Sequence, residues 1–188
     1  MRLLSKVWFE RRGWAPQGAL KAAIMLVHGH GEHVARYDHV AAALAEKGYA
    51  VLGFDLRGHG KSGGPRGHTP SYDALKDDIA SFSQQTEQRY AGLPHFLYGH
   101  SLSGNLVLNY ALRRKPDLHG VIATGPWLKL AFDPPASQVT LGRLMNGIAP
   151  GFSSTANWIP GDFPMTRRWL VLTKLIRWCK IKSRPGCL

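Results

Sequence analysis

Two cysteines in 188 residues, Cys179 and Cys187, both lie within the last ten positions, so no disulfide framework can staple this fold. A buried apolar core must hold it instead, and a reducing, cytoplasmic compartment is expected. No run approaches the roughly 20 apolar residues that cross a bilayer. The opening Met1-Arg2-Leu3-Leu4-Ser5-Lys6 is too short and too early charged for a secretory leader. Acid is scarce, with 12 Asp and Glu against 24 Lys and Arg, for a net charge of +12. Histidine is absent after His119. With 44% hydrophobic and 19% charged residues, the remainder reads as one globular domain, not a disordered chain.

The charge is unevenly spread. From Trp158 onward seven basic residues face one acid, Asp162, so half of the excess lies in the last 31 residues, with three of the six Trp and both Cys. A nucleic-acid module would rest on that tail alone, without an aromatic platform or recognition motif, so no nucleic-acid partner is expected.

Before the tail, apolar runs bounded by turn residues alternate with helical periodicity. Ile24–Val27 reads as a buried strand ending in a Gly-rich turn, His28–Gly31. A helix over Tyr37–Lys47 gathers Val40, Ala41, Ala43 and Leu44 near one face and stops at Gly48. Tyr49–Phe54 is a strand, followed by a Gly/Pro-rich loop from Leu56 to Pro70. Ser71 is the N-cap of a helix reaching about Arg89, with Leu75, Ile79 and Phe82 inward. Pro94–Tyr98 is a strand, Gly104–Arg114 a helix, and Val121–Ala123 a strand. Lys6–Trp14 adds an antiparallel edge ribbon. This β-α-β-α-β-α-β order predicts an α/β fold, a mostly parallel sheet with helices on both faces.

Ser101 lies where such sheets place their sites, just outside the carboxyl end of a strand, in Tyr98-Gly99-His100-Ser101-Leu102-Ser103-Gly104. The strand–turn–helix setting is that of a nucleophile elbow, which needs small neighbours because the turn is strained. Gly99 meets that need. Ser103 stands where G-x-S-x-G has its last glycine, a tolerated departure. Acyl transfer also requires donors for the developing oxyanion. The N–H of Leu102, at a helix start, is one, and the N–H of His30, in the glycine-flanked turn, is the other. For His28, His30 and His33 as a metal site no Cys or carboxylate constellation accompanies them, so no metal or other cofactor is expected. Gly58-His59-Gly60-Lys61-Ser62-Gly63 matches a dinucleotide fingerprint, but Gly64, Pro65 and Pro70 deny it a helix. A P-loop fails because Asp55 stands at its first glycine. This stretch is expected to be a structural loop beneath the site.

Leu26-Val27-His28-Gly29-His30-Gly31-Glu32-His33, then Arg36-Tyr37, Phe54 to Ser62 and Gly99-His100-Ser101, together resemble the monoacylglycerol lipase/lysophospholipase family of α/β-hydrolases over about residues 7 to 157. The resemblance implies hydrolysis of a small-molecule fatty-acyl ester through an acyl-enzyme on Ser101, with His30 and Leu102 as the oxyanion hole. It also implies Glu32, His33 and Arg36 near the head-group end of the pocket, and peripheral membrane contact through a cap. For His33 a solvated helix entrance is an equal reading.

The triad order in this fold is Ser, then Asp or Glu, then His. The resemblance places the last two well over a hundred residues after the serine, yet only 87 follow Ser101. Asp117 and His119 precede the Val121 strand and read as surface residues. The expectation is a hydrolase lacking the C-terminal part of its fold: residues 1–126 as the N-terminal part of the core, 127–157 as the start of the cap, and 158–188 as an aberrant basic tail. The last visible strand is left with an uncovered edge and a tendency to aggregate. Reading the tail with each codon's third base joined to the next codon turns Trp158-Ile159 into Asp. Under the same shift Phe163–Leu170 permits Ser-His-Asp-Pro-Ala-Val-Val. A frameshift near Asn157 is therefore expected. A genuine short variant, a non-catalytic binding domain, and a peptidase or thioesterase on the same fold stay open.

Overall fold

A computed structural model describes residue 9 and residues 11–16, 18–128 and 135–148. The basic tail at 158–188, the frameshift expected near Asn157, and residues 129–134 and 149–157 of the expected start of a cap lie outside them. The elements run β1 (Arg11–Trp14), β2 (Ala22–Val27), a 3-10 turn (Val34–Tyr37), α1 (Asp38–Glu46), β3 (Tyr49–Phe54), α2 (Tyr72–Arg89), β4 (His95–His100), α3 (Leu102–Arg114), β5 (Gly120–Thr124) and α4 (Ala136–Ile148).

The five strands form one sheet in the order β1-β3-β2-β4-β5. All neighbours are parallel except β1, which runs antiparallel to β3 from Arg11↔Phe54 to Trp14↔Val51. The predicted edge ribbon is thus a single described strand, with Phe9 set edge-on against Phe54 at 5.7 Å between centroids. Among the described residues β5 pairs with β4 alone.

Every residue of β2 is buried, because alternate side chains face two different helix layers. Met25 and Val27 pack with Leu75, Ile79 and Phe82 of α2 and Leu106, Val107 and Tyr110 of α3. Ile24 and Leu26 face the other way, toward Val34, Tyr37 and Ala41. Each fully buried side chain of this size contributes roughly 1.5–3 kcal/mol, so both layers are needed to seal the sheet. On α1 the inward positions are Ala41 and Ala45, four apart, while Ala43 is exposed, contrary to the expected face. A run of alanines offers no contrast in side chain from which to read the inward stripe.

Ser71 caps α2 as expected, its Oγ accepting from the Ala74 N–H at 3.0 Å. Arg57, in the loop after β3, binds the Asp78 carboxylate through Nε at 2.6 Å and through its second nitrogen, both residues being buried. That pair clamps α2 against the loop carrying residues 58–64.

The chain leaves β2 toward β3 on one side, then returns to place β4 on the other side of β2. The order reverses at the carboxyl ends of β2 and β4, the crevice where open α/β sheets bind their ligands. The turn at His28 and the residue Ser101 are what the chain places there.

Candidate active site

Ser101 is the last residue before α3 and has φ 54° and ψ −118°, a conformation that L side chains rarely adopt. Holding a non-glycine residue there costs of order 1–3 kcal/mol and persists only when the surroundings impose it. They do so from both sides. The Ser101 N–H donates to the Thr124 carbonyl at 2.9 Å, and the Ser101 carbonyl accepts from Trp127 at 3.2 Å, so the end of β5 latches the elbow. Thr124 Oγ1 also pairs with His100 Nδ1 at 2.9 Å and the Tyr98 hydroxyl at 3.0 Å. The glycines beside Ser101 are explained by close approach. A Cβ on Gly99 would overlap the carbonyl of Ser103, and one on Gly104 would press on Pro126 at 3.0 Å.

Helix α3 starts at Leu102, two residues earlier than expected, because the elbow feeds the helix directly. The Leu102 N–H is therefore one of the first four of a helix, which have no partner within it. It leaves the helix beside Ser101, at the positive end of the helix dipole.

The turn after β2 closes on Ser101 from the other strand. A Cβ on Gly29 would lie 3.2 Å from both Ser101 Cβ and the His100 carbonyl, so the turn's backbone sits directly against Ser101. Within the turn, Gly29 donates its N–H to Glu32 Oε1 at 2.5 Å. The same oxygen accepts the Tyr37 hydroxyl at 2.6 Å, while Oε2 lies 3.3 Å from Arg36. The Glu32 carboxylate is thus engaged in holding the turn, a role the sequence reading did not give it. Burial, and then the hydrogen bond to Glu32, push the Tyr37 phenol far above its ordinary value. Arg36 is 64% exposed. The His30 ring stands 5.9 Å from Trp127 and 5.6 Å from His59, and burial lowers its pKa.

Beneath the turn lies the loop after β3, as expected. Buried Asp55 accepts from the Val34 N–H at 2.7 Å and the Lys61 N–H at 2.8 Å, and its backbone carbonyl accepts the Ser62 hydroxyl at 2.6 Å. Its carboxylate also lies 3.9 Å from His28 Nε2. That contact is not an ion pair, since His28 is buried, has its pKa lowered to about 4, and uses Nε2 to accept a backbone N–H.

By its place in the motif Ser103 is a tolerated replacement for glycine. It is fully buried, and its hydroxyl donates to the His28 carbonyl at 2.5 Å. The contact spans 75 residues and could not be read from local pattern.

Among the described residues no histidine ring hydrogen-bonds Ser101. His28 and His59 direct Nδ1 at backbone carbonyls beneath the turn, and His100 pairs with Thr124. His33 and His39 are exposed at the entrance to α1, and His68 lies in the loop before α2. His119 pairs with His95 at the opposite end of β4, about 20 Å along the chain from Ser101. Asp117 is exposed at that same far end. Among the described residues no cluster of three His, Cys, Asp or Glu is placed to hold a metal ion, and no helix is long and apolar enough to cross a membrane.

Residues 18–170 match the family described as serine aminopeptidase, S33. An uncharacterized abhydrolase domain-containing protein of Dictyostelium discoideum is 40% identical over 76% of this chain and 15% of its own length. The monoglyceride lipase of Rattus norvegicus is 34% identical over 76% of this chain and 47% of its own. The crystal structure of Paleococcus ferrophilus monoacylglycerol lipase superposes with a TM-score of 0.70 at 35% identity, covering 81% of this chain and 56% of that one. This chain therefore spans about half the length of the lipases it matches, or less than two thirds of any of these three. With its elbow at the sheet's switch point and that match, the chain belongs to the serine aminopeptidase S33 family of α/β-hydrolases, among relatives of the monoglyceride lipase type.

Proposed function

We propose that the chain carries the nucleophile half of a serine hydrolase that cleaves fatty-acyl esters such as a monoacylglycerol or lysophospholipid. The observation that carries this reading is Ser101 held at positive φ with the Gly29 turn packed against its Cβ. In the reaction, Ser101 Oγ attacks the ester carbonyl, and the N–H groups of His30 and Leu102 receive the charge on the carbonyl oxygen. The alcohol leaves, and water then cleaves the acyl-enzyme. Arg36, the exposed partner of Glu32, is the group open to a polar head group. The segment after Trp127 fits an acyl-binding cap that touches membrane lipid. Its helix α4 exposes Leu141, Leu144 and Ile148, spaced three and four apart on one face.

Proton removal from Ser101 needs a base, and among the described residues no histidine hydrogen-bonds it. That observation favours a second reading, a domain that binds acyl ligands without turnover. Hydrolysis of p-nitrophenyl butyrate by the 188-residue chain, abolished by Ser101→Ala, supports the esterase. Turnover that survives the substitution, or none in the wild type, removes it. Running an aminoacyl p-nitroanilide beside the ester separates esterase from peptidase chemistry, since the family description and the lipase relatives point different ways.

A further inference from the structure

We propose that Ser103 is a positioning residue for the oxyanion hole, its hydroxyl tying the start of α3 to the turn that carries the second donor. This rests on the esterase reading. The two donors, the N–H groups of His30 and Leu102, come from segments far apart in sequence, and such donors work only when held where the charge will develop. The ladder between β2 and β4 ends at Val27↔Gly99, so no strand pairing fixes their spacing. Beyond that pair, the Ser103-to-His28 bond is the one hydrogen bond among the described residues that joins the turn to the elbow. Ser103 follows one donor residue by a single position, and His28 precedes the other by two.

The remaining polar groups of the turn point elsewhere. The Gly29 N–H goes to Glu32 inside the turn, and the His28 ring goes to Leu56 on the opposite flank. A serine in the first turn of a helix ordinarily bonds nearby backbone of its own segment. Here the proton crosses to a residue 75 positions back, from a side chain with no exposure to water. Glycine at this position would permit the same close approach to Gly99 but could not make the tie.

The test uses the full 188-residue chain and compares wild type with Ser103→Ala. Ser103→Cys, which keeps the volume and weakens the donor, stands in if the alanine variant does not fold. Amide hydrogen exchange should quicken about tenfold at residues 29–31 and 102 while β2 and β3 keep their protection. The kcat for p-nitrophenyl butyrate should fall about tenfold with KM unchanged, less than the hundredfold or more expected from deleting a donor outright. Unchanged protection at the turn, a loss spread evenly over the sheet, or an unchanged kcat in a chain that turns over would each overturn the proposal. If the wild type does not hydrolyse the ester, the esterase reading fails by itself, and hydrogen exchange alone then decides whether Ser103 ties the turn.

Discussion

His28 accepts the backbone N–H of Leu56 on Nε2 at 2.9 Å, joining the first residue after β2 to the loop after β3. Its other nitrogen lies 2.8 Å from the Gly29 carbonyl and must donate to it. The ring is therefore a neutral tautomer with its proton on Nδ1, and a second proton would break the Leu56 bond.

Burial lowers the His28 pKa from 6.5 to about 4, while the hydrogen bond to Gly29 works the other way. Between these values the unfolded chain binds the proton and the folded one resists it. The stabilisation is thus complete above pH 6.5 and is lost progressively down to about pH 4, up to roughly 3 kcal/mol in all. Urea midpoints measured from pH 7.5 to 4 should fall across that window, and the slope should flatten in His28→Gln. Equal slopes in the two proteins would remove His28 as the cause.

Gly29→Ala tests the contact between the turn and the nucleophile. The new methyl would meet Glu32 Oε1 at 2.8 Å and both Ser101 Cβ and the His100 carbonyl at 3.2 Å. Two of these neighbours are backbone or elbow and cannot give way, so the turn must move. A loss of roughly 1–3 kcal/mol in stability is expected from such overpacking. Ester turnover should fall much further than stability does. Thermal melting and kcat measured together check the split, and a variant with normal kcat would show that the turn is not part of the site.

The strands, Ser71 and the elbow were legible because each is written in adjacent residues: apolar runs, a cap three positions before its N–H, a serine between small residues. What escaped was non-local. Ser103 looks like an imperfect motif until β2 and β4 lie side by side, and only then does its hydroxyl find the His28 carbonyl. Glu32 reads as a charge near a pocket mouth. Its commitment to Gly29 and Tyr37 depends on the chain folding back within five residues, although the nearby donors are a signal that could have been weighed. In the sequence Asp55 reads as the residue that spoils a P-loop and as one position of the Phe54 to Ser62 stretch. Its two backbone partners, Val34 and Lys61, come together through the pairing of β2 with β3.

Asp55→Ala should accordingly destabilise the chain strongly. The substitution leaves the Val34 and Lys61 amides without the carboxylate that receives them, and charge-assisted bonds of this kind are worth about 1.5–3 kcal/mol each. A loss of roughly 3 kcal/mol or more is expected, with Asp55→Asn retaining part of it because one amide oxygen remains. Chemical denaturation of the three proteins checks the order wild type, Asn, Ala. An alanine variant as stable as wild type would mean that water replaces the carboxylate at both amides.

Ser101 itself should be a place where stability is given up for chemistry. Its φ of 54° suits glycine and strains any residue with a Cβ. Ser101→Gly keeps the elbow's backbone and relieves that strain, so it should stabilise the fold by roughly 1 kcal/mol, a rise of about 2–4 °C in Tm for a chain of this size. Ser101→Ala retains the Cβ and the strain, and should melt close to wild type. Both variants remove the proposed nucleophile, so neither should hydrolyse p-nitrophenyl butyrate. The comparison of glycine with alanine separates backbone strain from loss of the hydroxyl. If Ser101→Gly melts no higher than Ser101→Ala, the latch from Thr124 and Trp127 imposes no strain on the elbow, and its geometry must come from the residues on either side.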